Sequence, residues 1–121
     1  MTQPVYIAFE GPEACGKSTQ AQRLAESIGA VLTRETGGTD IGAQLRSILH
    51  DVDTVGLDDH AETLIVAADR AQHLAQVVRP ALERGEHVVS DRSVYSSLAY
   101  QGYGRGLPVD DVRRINEWAI G

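Results

Sequence analysis

Gly11, Gly16, Lys17 and Ser18 stand in the spacing G-x-x-x-x-G-K-[ST], between a short apolar run and a helical pattern. This is the arrangement of a phosphate-binding loop. Glycines let the backbone curl until successive N–H groups face a di- or triphosphate, and the helix that follows adds the partial positive charge of its N-terminus. Lys17 is spaced to reach the β- and γ-phosphates, and the Ser18 hydroxyl to hold Mg²⁺. The stretch Gly11, Pro12, Glu13, Ala14, Cys15, Gly16, Lys17, Ser18 and Thr19 is therefore expected to bind a nucleoside triphosphate.

Further groups with chemical capacity follow. Asp91-Arg92 ends an apolar run; a carboxylate there holds Mg²⁺ or its waters, and a guanidinium grips a second phosphate bidentately. Thr33 to Thr39 ends another, and its Gly37-Gly38 pair reads either as a plain turn or as a backbone that approaches a ligand closely. Ser97 and Gln101, one helical turn apart, present either a hydrogen-bonding edge for a nucleobase or a solvated polar face. Arg70, four positions after Val66, either reaches a base carbonyl or pairs with an acid such as Asp69 or Glu62. Cys15 reads as a small filler and not a nucleophile. His50, His60, His73 and His87 lack metal-ligand spacing, so no zinc site is expected.

Strands alternating with helices must position these groups. Val5 to Phe9 reads as a buried parallel strand, and Lys17 to Ile28 as a helix with Ala21, Leu24, Ala25 and Ile28 inward. Ala30 to Arg34 is a second strand. A helix over Asp40 to His50 is expected to turn Ile41, Leu45, Ile48 and Leu49 inward. A long helix from near Asp58 carries Ala61, Leu64, Ile65, Ala68, Ala71, Ala75 and Val78 at close to a 3.6 period, kinked at Pro80 and ended at Gly85. His87 to Ser90 is the third strand, Ser93 to Tyr100 is helical, Gln101 to Leu107 is a glycine-rich connection, and Val109 to Ile120 is a last amphipathic helix. The alternation implies an α/β fold with a parallel sheet and right-handed crossovers.

The 121 residues fit one domain, 1–121. A net charge of −6 argues against a general nucleic-acid partner or a polybasic membrane contact. The single cysteine cannot form an internal disulfide and fits a reducing compartment. No apolar run approaches a membrane span, and the first four residues are too short and polar for a signal peptide, so a soluble cytoplasmic protein is expected.

The sequence resembles the thymidylate kinases. The resemblance rests on Phe9-Glu10-Gly11 through Gln20, on Thr33-Arg34-Glu35 with Gly37-Gly38-Thr39, and on Ala68-Asp69-Arg70. It continues through Asp91-Arg92-Ser93 and Ser96 to Gly102. It implies a P-loop NTPase-like three-layer sandwich with strand order 2-3-1 and phosphoryl transfer from ATP to dTMP giving dTDP, with Mg²⁺. Lys17 and the loop would hold ATP, Ser18 and Asp91 the metal, and Glu13 would face the sugar 3′-hydroxyl. Arg34, Arg46 and Arg92 would surround the acceptor phosphate, with Glu35 in the same block. Arg70, Ser97 and Gln101 would read the thymine edge, Val66 would lie against the base, and Tyr100 would pack by the deoxyribose. A homodimer is also implied.

Several positions depart from the family pattern: Thr36 replaces its usual proline, Val66 a phenylalanine, Ser93 a tyrosine, and Ala14 is not arginine. Members continue into further strands and an arginine-bearing lid, so the chain is expected to be C-terminally truncated, with its first strand at a sheet edge. The alternatives are a nucleotide-binding fragment without turnover, or a kinase for another nucleoside monophosphate or a deoxynucleoside.

Overall fold

The computed structural model describes residues 3–11, 16–51 and 54–121, with the backbone alone at 94, 95 and 98. Three parallel strands form the sheet: β1 (Tyr6–Phe9), β2 (Val31–Arg34) and β3 (Val88–Asp91). β3 lies between the other two, giving the expected order 2-3-1. Ile7 and Leu32 both pair with Val89, and Phe9 and Arg34 with Asp91, so all three strands end level.

The central strand explains the layers. Val88 and Val89 are fully buried and, as neighbours in a strand, point to opposite faces. Val89 packs on Ala21 and Ala25 of α1 (Lys17–Ile28). Val88 packs on Leu74, Val78 and Ala81, in the continuous helical run of α3 (Asp59–His73), a π turn (Leu74–Val78) and α4 (Arg79–Glu83). The remaining helices are α2 (Asp40–His50), α5 (Val94–Ser97), which runs into a second π turn (Leu98–Gly104), and α6 (Val109–Ile120). Asp58 caps α3, its carboxylate accepting from His60 N and Ala61 N; Thr39 caps α2 by accepting from Gly42 N.

Four expectations are corrected. β1 is half-buried, not fully buried, because it lies at a sheet edge among the described residues. Ile28 on α1 and Ile41 and Ile48 on α2 point outward, the last two 51% and 45% exposed. On α3, Leu64 is 56% exposed, and Ala68 and Ala75 are exposed as well. The side of α3 facing the protein carries Thr63, Ala67, Asp69, Arg70 and His73 instead. Polar side chains can occupy that side because they hydrogen-bond one another and the β2 loop. Finally, the helix after β3 continues four residues further than expected. Gly102 does not start a loop: it sits buried against Val109, where a Cβ would lie 3.1 Å from Val109 Cγ2.

Just before Pro80, where a kink is expected, the helical run carries the π turn Leu74–Val78, and Pro80 stands in the first turn of α4, where its missing N–H costs little. Gly85 ends α4 as expected, at φ +81°, with Gly85 N donating to Leu82 O and Glu86 N to Ala81 O.

Candidate active site

The level strand ends bring the first group together. Gly16, at φ +85°, turns the chain into α1, so Lys17 and Ser18 begin that helix beside the end of β3. Lys17 Nζ is ion-paired with Asp91 Oδ1, and Ser18 Oγ donates to Asp91 Oδ2 at 2.6 Å. Burial pushes the Asp91 carboxyl up, but the bonds from Lys17 and Ser18 outweigh it and hold the group below the usual carboxylate range. An ionised carboxylate beside a hydroxyl is a donor set for a hard cation. Among the described residues no cluster of three or more His, Cys, Asp or Glu could hold a metal, and Mg²⁺ does not need one: it is ordinarily bound by one or two protein groups plus phosphate and water. Pro12, Glu13, Ala14 and Cys15 lie outside the described residues, and with them the proposed sugar contact of Glu13.

Next to this group opens a cleft of about 540 Å³, lined from β2's end loop, α2, α3 and the segment after β3. Four arginines line it: Arg70 and Arg105 are ion-paired with Glu35 and Glu62, and Arg46 and Arg92 add further positive charge. Arg46 Nη1 donates to Thr36 O at 3.2 Å and packs so closely on Gly37 that a Cβ there would lie 2.8 Å from Arg46 Cδ. Arg92 has φ +79°, a conformation few non-glycine residues adopt. It is held there by Arg92 N donating to Phe9 O and by Ser90 Oγ donating to Arg92 O, each at 2.8 Å. Its guanidinium lies 5.3 Å over the Tyr100 ring, with Nη1 3.3 Å from Ser96 Oγ.

Val66, Arg70, Ser97 and Gln101 line the same cleft, together with Glu35 and Tyr100. Arg34 does not. It lines a neighbouring cavity of about 510 Å³ with Ser18, Gly37, Gly38 and Asp91. Arg70 pairs with neither acid the sequence offered. It is 2% exposed, and its Nε donates to Glu35 Oε1 at 2.8 Å. Asp69 is taken up by Gly37 N at 2.9 Å, and Glu62 by Arg105 at 2.9 Å and Gln101 at 3.5 Å.

The family model described as thymidylate kinase matches residues 9–121, which carry every group above. The chain belongs to the thymidylate kinase family. Curated thymidylate kinases from Halothermothrix orenii and Bacillus pumilus are 47% and 48% identical over 121 residues each, covering 96% of this chain. The chain spans 58% and 57% of their lengths. The crystal structure of thymidylate kinase from Ehrlichia chaffeensis superposes with a TM-score of 0.92 at 35% identity, over 99% of this chain and 71% of that one. The α/β fold is that of this family.

Sequence reasoning missed four residues that build the site. His73, fully buried, bridges Thr33 Oγ1 at 2.7 Å and Glu35 Oε2 at 3.1 Å. Asp69 anchors Gly37, and burial pushes its carboxyl up despite that bond. Glu10 accepts from Ser93 N at 2.7 Å and from Ser96 Oγ, tying the loop after β3 to the start of the phosphate loop. Asn116 on α6 accepts from Arg70 Nη1. The i, i+4 pair Asp69 and His73 was a usable signal, since two polar groups share one helix face there.

Proposed function

We propose that the chain carries the nucleotide sites of a dTMP kinase, transferring the γ-phosphoryl group of ATP to dTMP and releasing ADP and dTDP. The observation that carries this reading is the juxtaposition of the Lys17–Asp91–Ser18 group with a cleft lined by Arg46, Arg70, Arg92 and Arg105 and by a hydrogen-bonding wall. Family membership supports it. An oxygen of the dTMP phosphate attacks the γ-phosphorus in line, and the bond to the β,γ-bridging oxygen breaks. Lys17 and the loop from Gly11 to Thr19 cradle the triphosphate. Ser18 and Asp91 hold Mg²⁺, which when bound neutralises phosphate charge. Arg92 and Arg46 orient the acceptor phosphate from the cleft, and Arg34 flanks it from the neighbouring cavity. Arg70, Ser97 and Gln101 face the base edge, with Val66 and Tyr100 as apolar walls; Glu35 sets Arg70. Positioning and charge neutralisation do the work, and no strong general base is required.

The test is dTDP formation by the 121-residue chain from ATP-Mg²⁺ and dTMP, with Lys17→Ala as control. Turnover that the control loses supports the reading. ATP binding without product assigns binding without turnover, and product from a different acceptor in a nucleotide panel redirects the base assignment.

We further propose self-association as a homodimer. α2 and α3 pack together, and each turns large apolar side chains to the surface, Ile41 and Ile48 on one and Leu64 on the other. No described helix is long and apolar enough to cross a membrane. A cytoplasmic setting, where ATP and dTMP are at hand, agrees with the single cysteine.

A further inference from the structure

Arg70 is anchored on three sides. Its Nε donates to Glu35 Oε1 at 2.8 Å, and its Nη1 to Ser97 Oγ at 2.9 Å and to Asn116 Oδ1. Nη2 makes no hydrogen bond to a described residue, and Arg70 lines the cleft. A guanidinium is planar, so fixing Nε and Nη1 also fixes where the Nη2 hydrogens point.

Glu35 and Ser97 line the cleft themselves, but Asn116 does not. It is 0% exposed, and no residue of α6 reaches the cleft. Its Nδ2 donates to Val112 O at 2.8 Å. A carbonyl needs a donor and a guanidinium needs an acceptor, so Nδ2 faces Val112 O and Oδ1 the guanidinium, which sets the amide's orientation. Val112, one turn earlier on the same face of α6, is a buried core residue, and an apolar side chain would suit position 116 on packing grounds. A buried amide there is retained at a desolvation cost, which both of its hydrogen bonds offset.

We propose that Asn116 is a positioning residue that aims Arg70 Nη2 at the acceptor base, so that a helix touching no nucleotide sets base discrimination. The specificity part rests on the acceptor reading above. Asn116→Leu keeps the size and removes both hydrogen bonds, whereas Asn116→Asp keeps an acceptor oxygen. Calorimetry on the folded variants compares dTMP, dCMP and ATP. The pyrimidine 4-carbonyl of dTMP accepts from Nη2, and the 4-amino group of dCMP does not. Asn116→Leu is expected to weaken dTMP binding roughly tenfold, the scale of losing one hydrogen bond from a charged donor, with ATP unchanged. The preference for dTMP over dCMP should shrink by about the same factor, and Asn116→Asp should retain it. Equal weakening of all three nucleotides, or an unchanged preference, overturns the specificity role. If the leucine variant does not fold, Asn116→Ser replaces it in the same comparison.

A ligand-free arm separates this from the acceptor reading. In ¹⁵N NMR of the free protein, the Arg70 Nε–H, assigned by its loss in Arg70→Lys, should exchange slowly, and faster in the Asn116 variant. Unchanged exchange overturns the positioning role whatever the nucleotide data show. Wild-type protein that binds no dTMP overturns the acceptor reading and the specificity role with it, while the exchange result still decides whether Asn116 positions Arg70.

Discussion

Asp91 takes the two loop side chains, Lys17 and Ser18, on its two carboxylate oxygens. Its pKa in the folded chain lies below the usual Asp value. Its contribution to stability is therefore complete above that usual value and is lost as pH falls through the folded one. The thermal midpoint of wild type should fall more steeply on acidification than that of Asp91→Asn, so their difference, largest near neutrality, should narrow; parallel curves would remove the pairing. Asp69 carries the opposite sign. Burial raises its pKa, so ionising it opposes folding as pH rises above the usual Asp value. Lys17→Ala should lose about 1–3 kcal/mol in denaturant unfolding as well as nucleotide binding, because it strands a half-buried carboxylate. Val66, facing the cleft, offers the base a branched aliphatic wall. Val66→Phe should tighten acceptor binding, up to about tenfold for about 1 kcal/mol or more of base stacking, with calorimetry as the readout.

At the level of elements, glycines let the site-bearing segments approach one another. α2 reaches α3 at Gly42, where a Cβ would lie 2.3 Å from Asp69 Oδ1 and 3.0 Å from Thr39 Oγ1. Gly42→Ala should therefore destabilise by about 1–3 kcal/mol, although alanine is the better helix former by about 1 kcal/mol. Because Asp69 Oδ1 also anchors Gly37 N, the same variant should weaken the acceptor, a joint loss visible in urea unfolding and calorimetry. Gly38 is equally close, and its obstacle is backbone: a Cβ would lie 2.3 Å from the Arg34 carbonyl oxygen. α3 follows a related logic. Its inward side holds the side chains that brace β2's loop, and its apolar side faces outward.

Over the whole molecule, the exposed apolar residues of α2 and α3 predict an oligomer. Sedimentation should show a dimer for wild type, and Leu64→Glu should shift it to monomer with the fold intact; a wild-type monomer at all concentrations would sink the assignment. The element order, three helix spans and the family were legible in the residues alone, since strand alternation, helical period and capping are local signals. Lys17 with Asp91 followed from a general rule, because strand ends share one sheet edge in a parallel fold. The rest was decided by the tertiary structure. Arg70 meets Glu35, Ser97 and Asn116 across 35, 27 and 46 residues of chain, and no periodicity encodes such meetings. The stripe Leu64, Ala68 and Ala75 has the same period whether it faces a core or a partner; packing sent it outward because the buried side was taken by the hydrogen-bonded polar groups Asp69, Arg70 and His73. The fold likewise parted Arg34 from Arg46 and Arg92: Arg34 ends β2 level with Asp91, so the two point to one face and line one cavity, while α2 brings Arg46 to the cleft and the residue just past β3 brings Arg92.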